Sequence, residues 1–281
     1  MEDFCKYINT KFNTNLSVSY VDNILIPKTN YVKFITSKIS ILIILIIIFM
    51  IFKNELNYYV KWSGIIYIIC YLICIIIYSL QYGYNFYKYK EIYKKHDYKF
   101  SELVFNTGDI IQEPRLWCEN DITFIDPFLF FHSSIIINFN NKPYGIHFYP
   151  DDFFLYKKYI RMGHIFIVDF EDSVKYITEF KNYPFRLFRN KNGINNDQLL
   201  QEVINSHYDK ISFNTMLIFG LKSINDAKNI KSYSCIGYIM YILSKLNIIS
   251  RLNFRNFFPD DLVFIPYASN GAYEDAKLFI Y

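Results

Sequence analysis

The stretch that decides the fold is Phe131–Pro150, FHSSIIINFNNKPYGIHFYP. It opens with aromatic and β-branched residues over Phe131–Ile137. Such side chains fit a pleated, half-buried surface, so the run reads as a strand. Asn138–Pro143 (NFNNKP) concentrates residues that favour turns. Tyr144–Phe148 then reads as the return strand of a hairpin. His132 stands at the start of the first strand and His147 lies on the second. Adjacent antiparallel strands can bring two such imidazoles together, one orienting the other.

Outward from this hairpin the pattern alternates. Gly108–Ile111 (GDII) reads as a turn entering a short strand, and Ile122–Ile125, Ile165–Val168 and Phe185–Phe188 as further strands. Asp172–Phe180 carries Val174, Ile177 and Phe180 at helical spacing, and Asp197–Ser206 is a second candidate helix. Cys235–Leu246 (CIGYIMYILSKL) is the most apolar helix of this part, expected at the centre and against the sheet. Leu278–Tyr281 is expected to close the sheet. Strands first and a mixture afterwards predict an α+β fold. The PDD triplets at Pro150–Asp152 and Pro259–Asp261 are too short to be a repeat.

The first third of the chain reads differently. Ile39–Phe52 (ISILIILIIIFMIF) is a 14-residue apolar run bracketed by Lys38 and Lys53. As a helix it covers about 21 Å of a hydrocarbon core of about 30 Å. Tyr31 to Ile35 can extend it, and the flanking lysines can snorkel. Trp62–Tyr82 (WSGIIYIICYLICIIIYSLQY) is 21 residues long, with Trp62 and Tyr82 at its ends. That is a good spanning length with interfacial aromatics. The short link Lys53–Lys61 makes the two helices antiparallel. Lys28, Lys33 and Lys38 precede the pair, and Lys88, Lys90, Lys94 and Lys95 follow it. The positive-inside rule then predicts a multi-pass protein with both termini and the globular domain in the cytosol. The rival reading is a helical hairpin buried in a protein partner. Tyr84–Tyr98 (YNFYKYKEIYKKHDY) reads either as a helical extension on the membrane surface or as a solvated linker helix.

Charge follows the same division. Residues 1–99 hold 12 Lys against 6 Asp/Glu, and residues 100–281 hold 18 Lys/Arg against 20 Asp/Glu. The globular part has no basic excess to suggest nucleic acid, whereas lysines beside an apolar helix suit anionic lipid. The five cysteines, Cys5, Cys70, Cys74, Cys118 and Cys235, form no disulfide framework and suit a reducing compartment. The wealth of Ile, Asn, Lys, Tyr and Phe suggests an AT-rich genome such as that of a large DNA virus or a protist, and a virion or host internal membrane as the setting.

Cys235 is the candidate nucleophile. It follows Ser232 and Ser234, either of which can cap a helix. In the first turn of that helix the dipole and free N–H groups stabilise a thiolate, the form that attacks a carbonyl. Against this, cysteine is often only a small core residue. His132, with a near-neutral pKa, is the candidate base and His147 its orienting partner, though each taken alone suits a structural role. His132, His147 and Cys235 are also legitimate zinc ligands, but their spacing matches no compact zinc motif. The pairs Asp151/Asp152 and Asp260/Asp261 read as turn and cap residues. Arg186 and Arg189 read as surface ion-pair partners or as a clamp for an anionic group.

The order of these segments resembles the circularly permuted NlpC-type papain-like proteins, which include the lecithin retinol acyltransferase group. GDII resembles their first strand, and FHSSIIINFNNKPYGIHFYP their strand pair with two histidines. DFEDSVKYITEFKNYPFRLFRN resembles the helix and following strand of permuted members, SYSCIGYIMYIL the nucleophile helix, and FFPDDL the Pro-Asp-Leu after it. The likeness spans residues 103–267. It implies Cys235 as nucleophile, His132 as general base and His147 as the residue orienting it. The hairpin is longer than in the acyltransferases, and Ile236 departs from the usual polar neighbour of the cysteine. No oxyanion donor beyond the Cys235 backbone N–H can be assigned.

The expected architecture is therefore α+β, a permuted papain-like domain with an antiparallel sheet packed on a central nucleophile helix, preceded by a two-helix transmembrane hairpin. The expected divisions are a polar segment 1–37, the hairpin 38–82, a basic juxtamembrane linker 83–100 and the globular domain 101–281. The expected activity is that of a membrane-anchored thiol hydrolase or acyltransferase without cofactor or metal. It would cleave an amide or ester, of a lipid for preference or of a peptide, through an acyl-cysteine. The alternative is a non-catalytic membrane scaffold that retains the fold.

Overall fold

The hairpin that opens the sequence argument forms from strands Phe130–Phe139 and Lys142–Phe148, joined by a two-residue turn. Asn140 and Asn141 both take positive φ, 53° and 60°. That is the backbone a type I′ hairpin turn requires, and asparagine tolerates it better than most residues. The computed structural model describes residues 1–21, 31–52, 58–94, 96–114, 130–149, 157–178, 184–213, 232–249 and 259–280. The expected strand Ile122–Ile125, Cys118, Asp151 and Asp152 lie outside these residues.

In chain order the elements are α1 (Glu2–Phe12), β1 (Val18–Tyr20), α2 (Tyr31–Phe52), α3 (Tyr58–Lys94), β2 (Tyr98–Lys99), β3 (Ile110–Pro114), β4 (Phe130–Phe139) and β5 (Lys142–Phe148). There follow β6 (Lys158–Met162), β7 (Ile165–Asp169), α4 (Phe170–Thr178), β8 (Phe185–Phe188) and α5 (Asn196–Tyr208). The last are β9 (Ser212–Phe213), β10 (Ser232–Tyr233), α6 (Cys235–Lys245), α7 (Ile265–Ala268) and β11 (Lys277–Ile280). Nine strands make one sheet in the order β1-β6-β7-β5-β4-β3-β8-β11-β2. Every neighbouring pair is antiparallel except β11 with β2. The fold is thus mixed α and β around a large, mostly antiparallel sheet.

The chain divides into two compact units. The globular unit takes in the described residues before Val21 as well as those from Ile92 onward. These residues include parts of the expected segments 1–37 and 83–100. In α1, Phe4 and Ile8 fall on one helical face four residues apart and are fully buried, with Cys5 beside them. Phe4 stacks on Phe139 and Tyr144 of the central hairpin, with ring centroids 4.9 and 4.5 Å away. Strand β1 then pairs with β6. The polar composition of this segment hid one apolar stripe. At the other boundary, β2 is a sheet strand, paired with β11.

One face of the sheet is covered by α6, α5 and α1. Ile135 and Ile137 of β4, Ile146 and Phe148 of β5 and Ile167 of β7 pack there with Tyr238, Ile239 and Leu243 of α6 in a single apolar core. Phe148 and Tyr238 stack at 4.3 Å. The entry to β3 is fixed by Asp109, whose buried carboxylate accepts N–H bonds from Asn106 (2.9 Å) and Asn190 (2.8 Å).

The other unit contains α2 and α3. Both are apolar, and residues such as Ile44, Ile47, Ile66 and Leu80 are exposed. At 22 residues α2 is longer than the apolar run alone suggests. Helix α3 runs for 37 residues to Lys94, so the basic Tyr84–Lys94 stretch is its continuation. Gly64 of α3 lets the Phe49 ring of α2 come close, since a Cβ there would lie 3.1 Å from it. Among the described residues one helix, Tyr58–Ile77, is long and apolar enough to cross a membrane, and Ile39–Phe52 is a shorter apolar helix.

Candidate functional site: a buried histidine pair and a carboxylate

Three adjacent strands at the middle of the sheet supply the site. The register sets Glu113 of β3 opposite His132 of β4, and His147 of β5 opposite Ser134 of β4. Residues directly opposite, and residues two apart along a strand, share a face. Glu113, His132, Ser134 and His147 therefore lie together. A bulge follows at once, because the register shifts between Glu113 and Pro114. Proline cannot donate to the ladder, and such irregularities mark the ends of pairing.

His132 Nε2 and His147 Nδ1 are 3.0 Å apart. The two rings are parallel within 7°, with centroids 5.2 Å apart. An imidazole nitrogen lies about 1.1 Å from its ring centre by ordinary bond lengths. The nitrogens thus face each other close to the line of centres, as one N–H···N bond demands. Glu113 Oε1 lies 3.5 Å from His147 Nδ1. Tyr149 stacks on the His132 ring at 3.9 Å. His132, His147 and Glu113 are exposed by only 5%, 0% and 2%. Burial pushes the His132 pKa well below its ordinary value, and the neighbouring His147 adds to the shift. Burial alone brings His147 down to about 3. Both imidazoles are neutral at physiological pH. Gly145 makes room for this arrangement, since a Cβ there would stand 2.6 Å from His147 Nε2.

Cys235 opens α6 as expected. Ser234 is the cap, its hydroxyl accepting the Gly237 N–H at 3.1 Å, while Ser232 belongs to β10. The thiol is buried, 3% exposed. The helix packs on the face that carries Ile135, Ile137, Ile146 and Phe148. His132 and His147 alternate with those residues along β4 and β5 and so belong to the other face. The structure brings the two histidines together and puts the cysteine's helix across the sheet from them.

The remaining candidates have structural settings. Arg189 Nη1 donates to the Val104 carbonyl at 2.6 Å and lies 3.9 Å from Asp109. Arg186 Nη1 reaches Gln112 Oε1 at 3.4 Å. Asp260 and Asp261 lie in a 3-10 turn, Pro259–Phe264. Glu113 escaped the sequence reading. Its signal was a carboxylate two residues after Ile111, within a strand of otherwise apolar and amide residues. A cleft among the described residues is lined by Lys99, Phe100, Leu103, Phe105, Asn138 and Glu171, with none of the three expected catalytic residues in its wall.

No family model matches the chain, and no curated protein matches it. Among solved structures it is similar to the metalloprotein yiiX from Escherichia coli O157:H7, at 12% identity and a TM-score of 0.33, over 63% of this chain and 89% of that one. A likeness at that level carries no argument about fold or function.

Proposed function

We propose that the chain is a membrane-anchored protein whose globular domain serves as a binding or scaffolding module and does not work through thiol catalysis. The observation that carries this reading is the register of β4 and β5. It assigns His132 and His147 to one face of the sheet while α6, with Cys235, packs on the other. A thiol and its base need hydrogen-bond reach of one another.

The anchor rests on two further observations. Helices α2 and α3 expose apolar side chains over Ile39–Phe52 and Tyr58–Leu80, a pattern suited to lipid. The globular unit includes residues on both sides of that segment. A chain that leaves a folded body and returns to it crosses a bilayer an even number of times. If α3 crosses, α2 must cross too, which is the antiparallel hairpin expected from the lysine distribution. Lysine counts favour the cytosol for the globular unit.

A second reading keeps the thiol hydrolase or acyltransferase, acting on a lipid or peptide through an acyl-cysteine, with the permuted papain-like topology. The in-line His132–His147 bond and the capped start of α6 favour it. It requires His132 to be presented to Cys235.

The two are separated by the pH dependence of Cys235 alkylation in the full chain, with and without His132→Ala, after the other cysteines are changed to serine. The scaffold reading expects a slow, ordinary thiol that is indifferent to His132. A thiolate at neutral pH that disappears in the variant would establish the hydrolase reading instead.

A further inference from the structure

The geometry points to a divalent-cation site, suited to Zn²⁺, formed by Glu113 Oε1, His132 Nε2 and His147 Nδ1. These three ligand atoms all lie within 4.8 Å of one another. Two imidazole nitrogens and a carboxylate oxygen are a common donor set for zinc and its first-row neighbours. Ligands about 2.0–2.1 Å from a tetrahedral ion sit roughly 3.3 Å apart along each edge. The His132–His147 separation of 3.0 Å and the His147–Glu113 separation of 3.5 Å bracket that edge. The Glu113–His132 edge lies within the 4.8 Å that bounds all three separations.

The setting is built and rigid. Each ligand comes from the interior of a different strand, and the three strands are neighbours in the sheet. Sites on strands hold ligands more tightly than sites on loops. Gly145 leaves the space that the His147 ring fills. Ser134 supplies a second, independent sign. It is fully buried, lies opposite His147, and shares a face with His132. Its hydroxyl makes no hydrogen bond among the described residues. A hydroxyl so placed can bond a water in the fourth position of the ion, as outer groups around metal centres do.

Binding rearranges protons in a defined way. One of the facing nitrogens carries the hydrogen of the N–H···N bond. When the ion enters, that hydrogen leaves and the same ring is protonated on its other nitrogen. Both imidazoles stay neutral and both facing lone pairs turn to the cation. The cation's charge is then partly balanced by the Glu113 carboxylate.

The test uses the full chain in detergent, stripped with a chelator and then titrated with Co²⁺ and Zn²⁺ salts. The expected result is one Co²⁺ per chain with visible ligand-field bands, displaced by Zn²⁺, and at least about tenfold weaker binding in Glu113→Gln and His147→Gln. His207→Ala, at a half-buried position in the last turn of α5, leaves binding unchanged. X-ray absorption of the zinc form decides the matter without any variant, should the substitutions fail to fold. Two imidazoles and only nitrogen or oxygen neighbours support the site. A sulfur neighbour would assign the ion to a cysteine and overturn it. So would a stripped chain that takes up no ion, or equal binding by folded Glu113→Gln.

Discussion

His132 Nε2 and His147 Nδ1 meet head-on at 3.0 Å, both rings buried on the face of the sheet opposite α6. Two neutral imidazoles in this setting make folding sensitive to acid. Burial brings the His147 pKa from 6.5 to about 3. Between these two values the unfolded chain binds the proton and the folded chain does not, so stability falls as pH drops. The loss begins near pH 6.5 and grows by roughly 1.4 kcal/mol per pH unit from His147. His132 shifts in the same direction and adds to it. Urea midpoints of the chelator-stripped chain should therefore decline steadily from pH 7 to pH 4. His147→Gln, which cannot take the proton, should flatten the slope. An equal slope in both would show that the acid sensitivity lies elsewhere.

Gly145→Ala should be destabilising although Gly145 has an ordinary strand backbone. Its added methyl would lie 2.6 Å from His147 Nε2 and 3.4 Å from the Phe170 ring. Forcing an extra carbon into a packed interior costs about 1–3 kcal/mol. The same substitution at Gly193, where nothing lies within 4 Å of the new Cβ but φ is +65°, would cost only the backbone term. Chemical denaturation of Gly145→Ala and Gly145→Ala/His147→Ala gives the check. The double variant should recover part of the loss if the imidazole is what the methyl strikes.

Much of the globular fold was legible because its strands and helices carry clear local signals. Phe185–Phe188 was read with the bounds it has, and the hairpin strands differ from their reading by one or two residues at three ends and not at all at Phe148. The strand Lys158–Met162 was missed. Lys158 and Arg161 break its alternation, and its partners β1 and β7 decide its place more than its own residues do. The N-terminal helix was missed because its stripe is only Phe4, Cys5 and Ile8, and the body it covers begins over a hundred residues later. At the site, the meeting of His132 and His147 could be foreseen from a hairpin with a short turn. The side they face could not, because it depends on the parity of a register that the turn fixes. A slip of one residue would move every side chain of the strand to the opposite face.

Phe4→Ala should destabilise the globular unit as much as a central core change would. Phe4 is fully buried between Phe139 and Tyr144. Truncating a buried phenylalanine costs about 3–5 kcal/mol. The loss should appear in the thermal melt of the whole unit, together with faster proteolysis in β4 and β5. If the melt is unchanged and only the first twenty residues become cleavable, the N-terminal helix is an appendage and the even-crossing argument for the anchor loses its basis.

Tyr273→Phe isolates one hydrogen bond at the entry to the strand that carries Glu113. The buried Tyr273 hydroxyl donates to the Gly108 carbonyl at 2.7 Å. Gly108 in turn donates its N–H to Ile136 at 2.8 Å. It holds φ at +95°, and a Cβ there would meet Ile194 at 2.5 Å. The ring of the variant still fills its place, so the change removes the bond without opening a cavity. A buried acceptor left without its donor costs about 1–3 kcal/mol. Burial pushes the Tyr273 hydroxyl far up, so it remains a donor over the whole working range of pH. The cost should then be the same at pH 6 and pH 9 in urea titrations. A cost that vanishes at either pH would mean that the bond is not made by the neutral phenol, and that the Gly108 turn is held by its backbone alone.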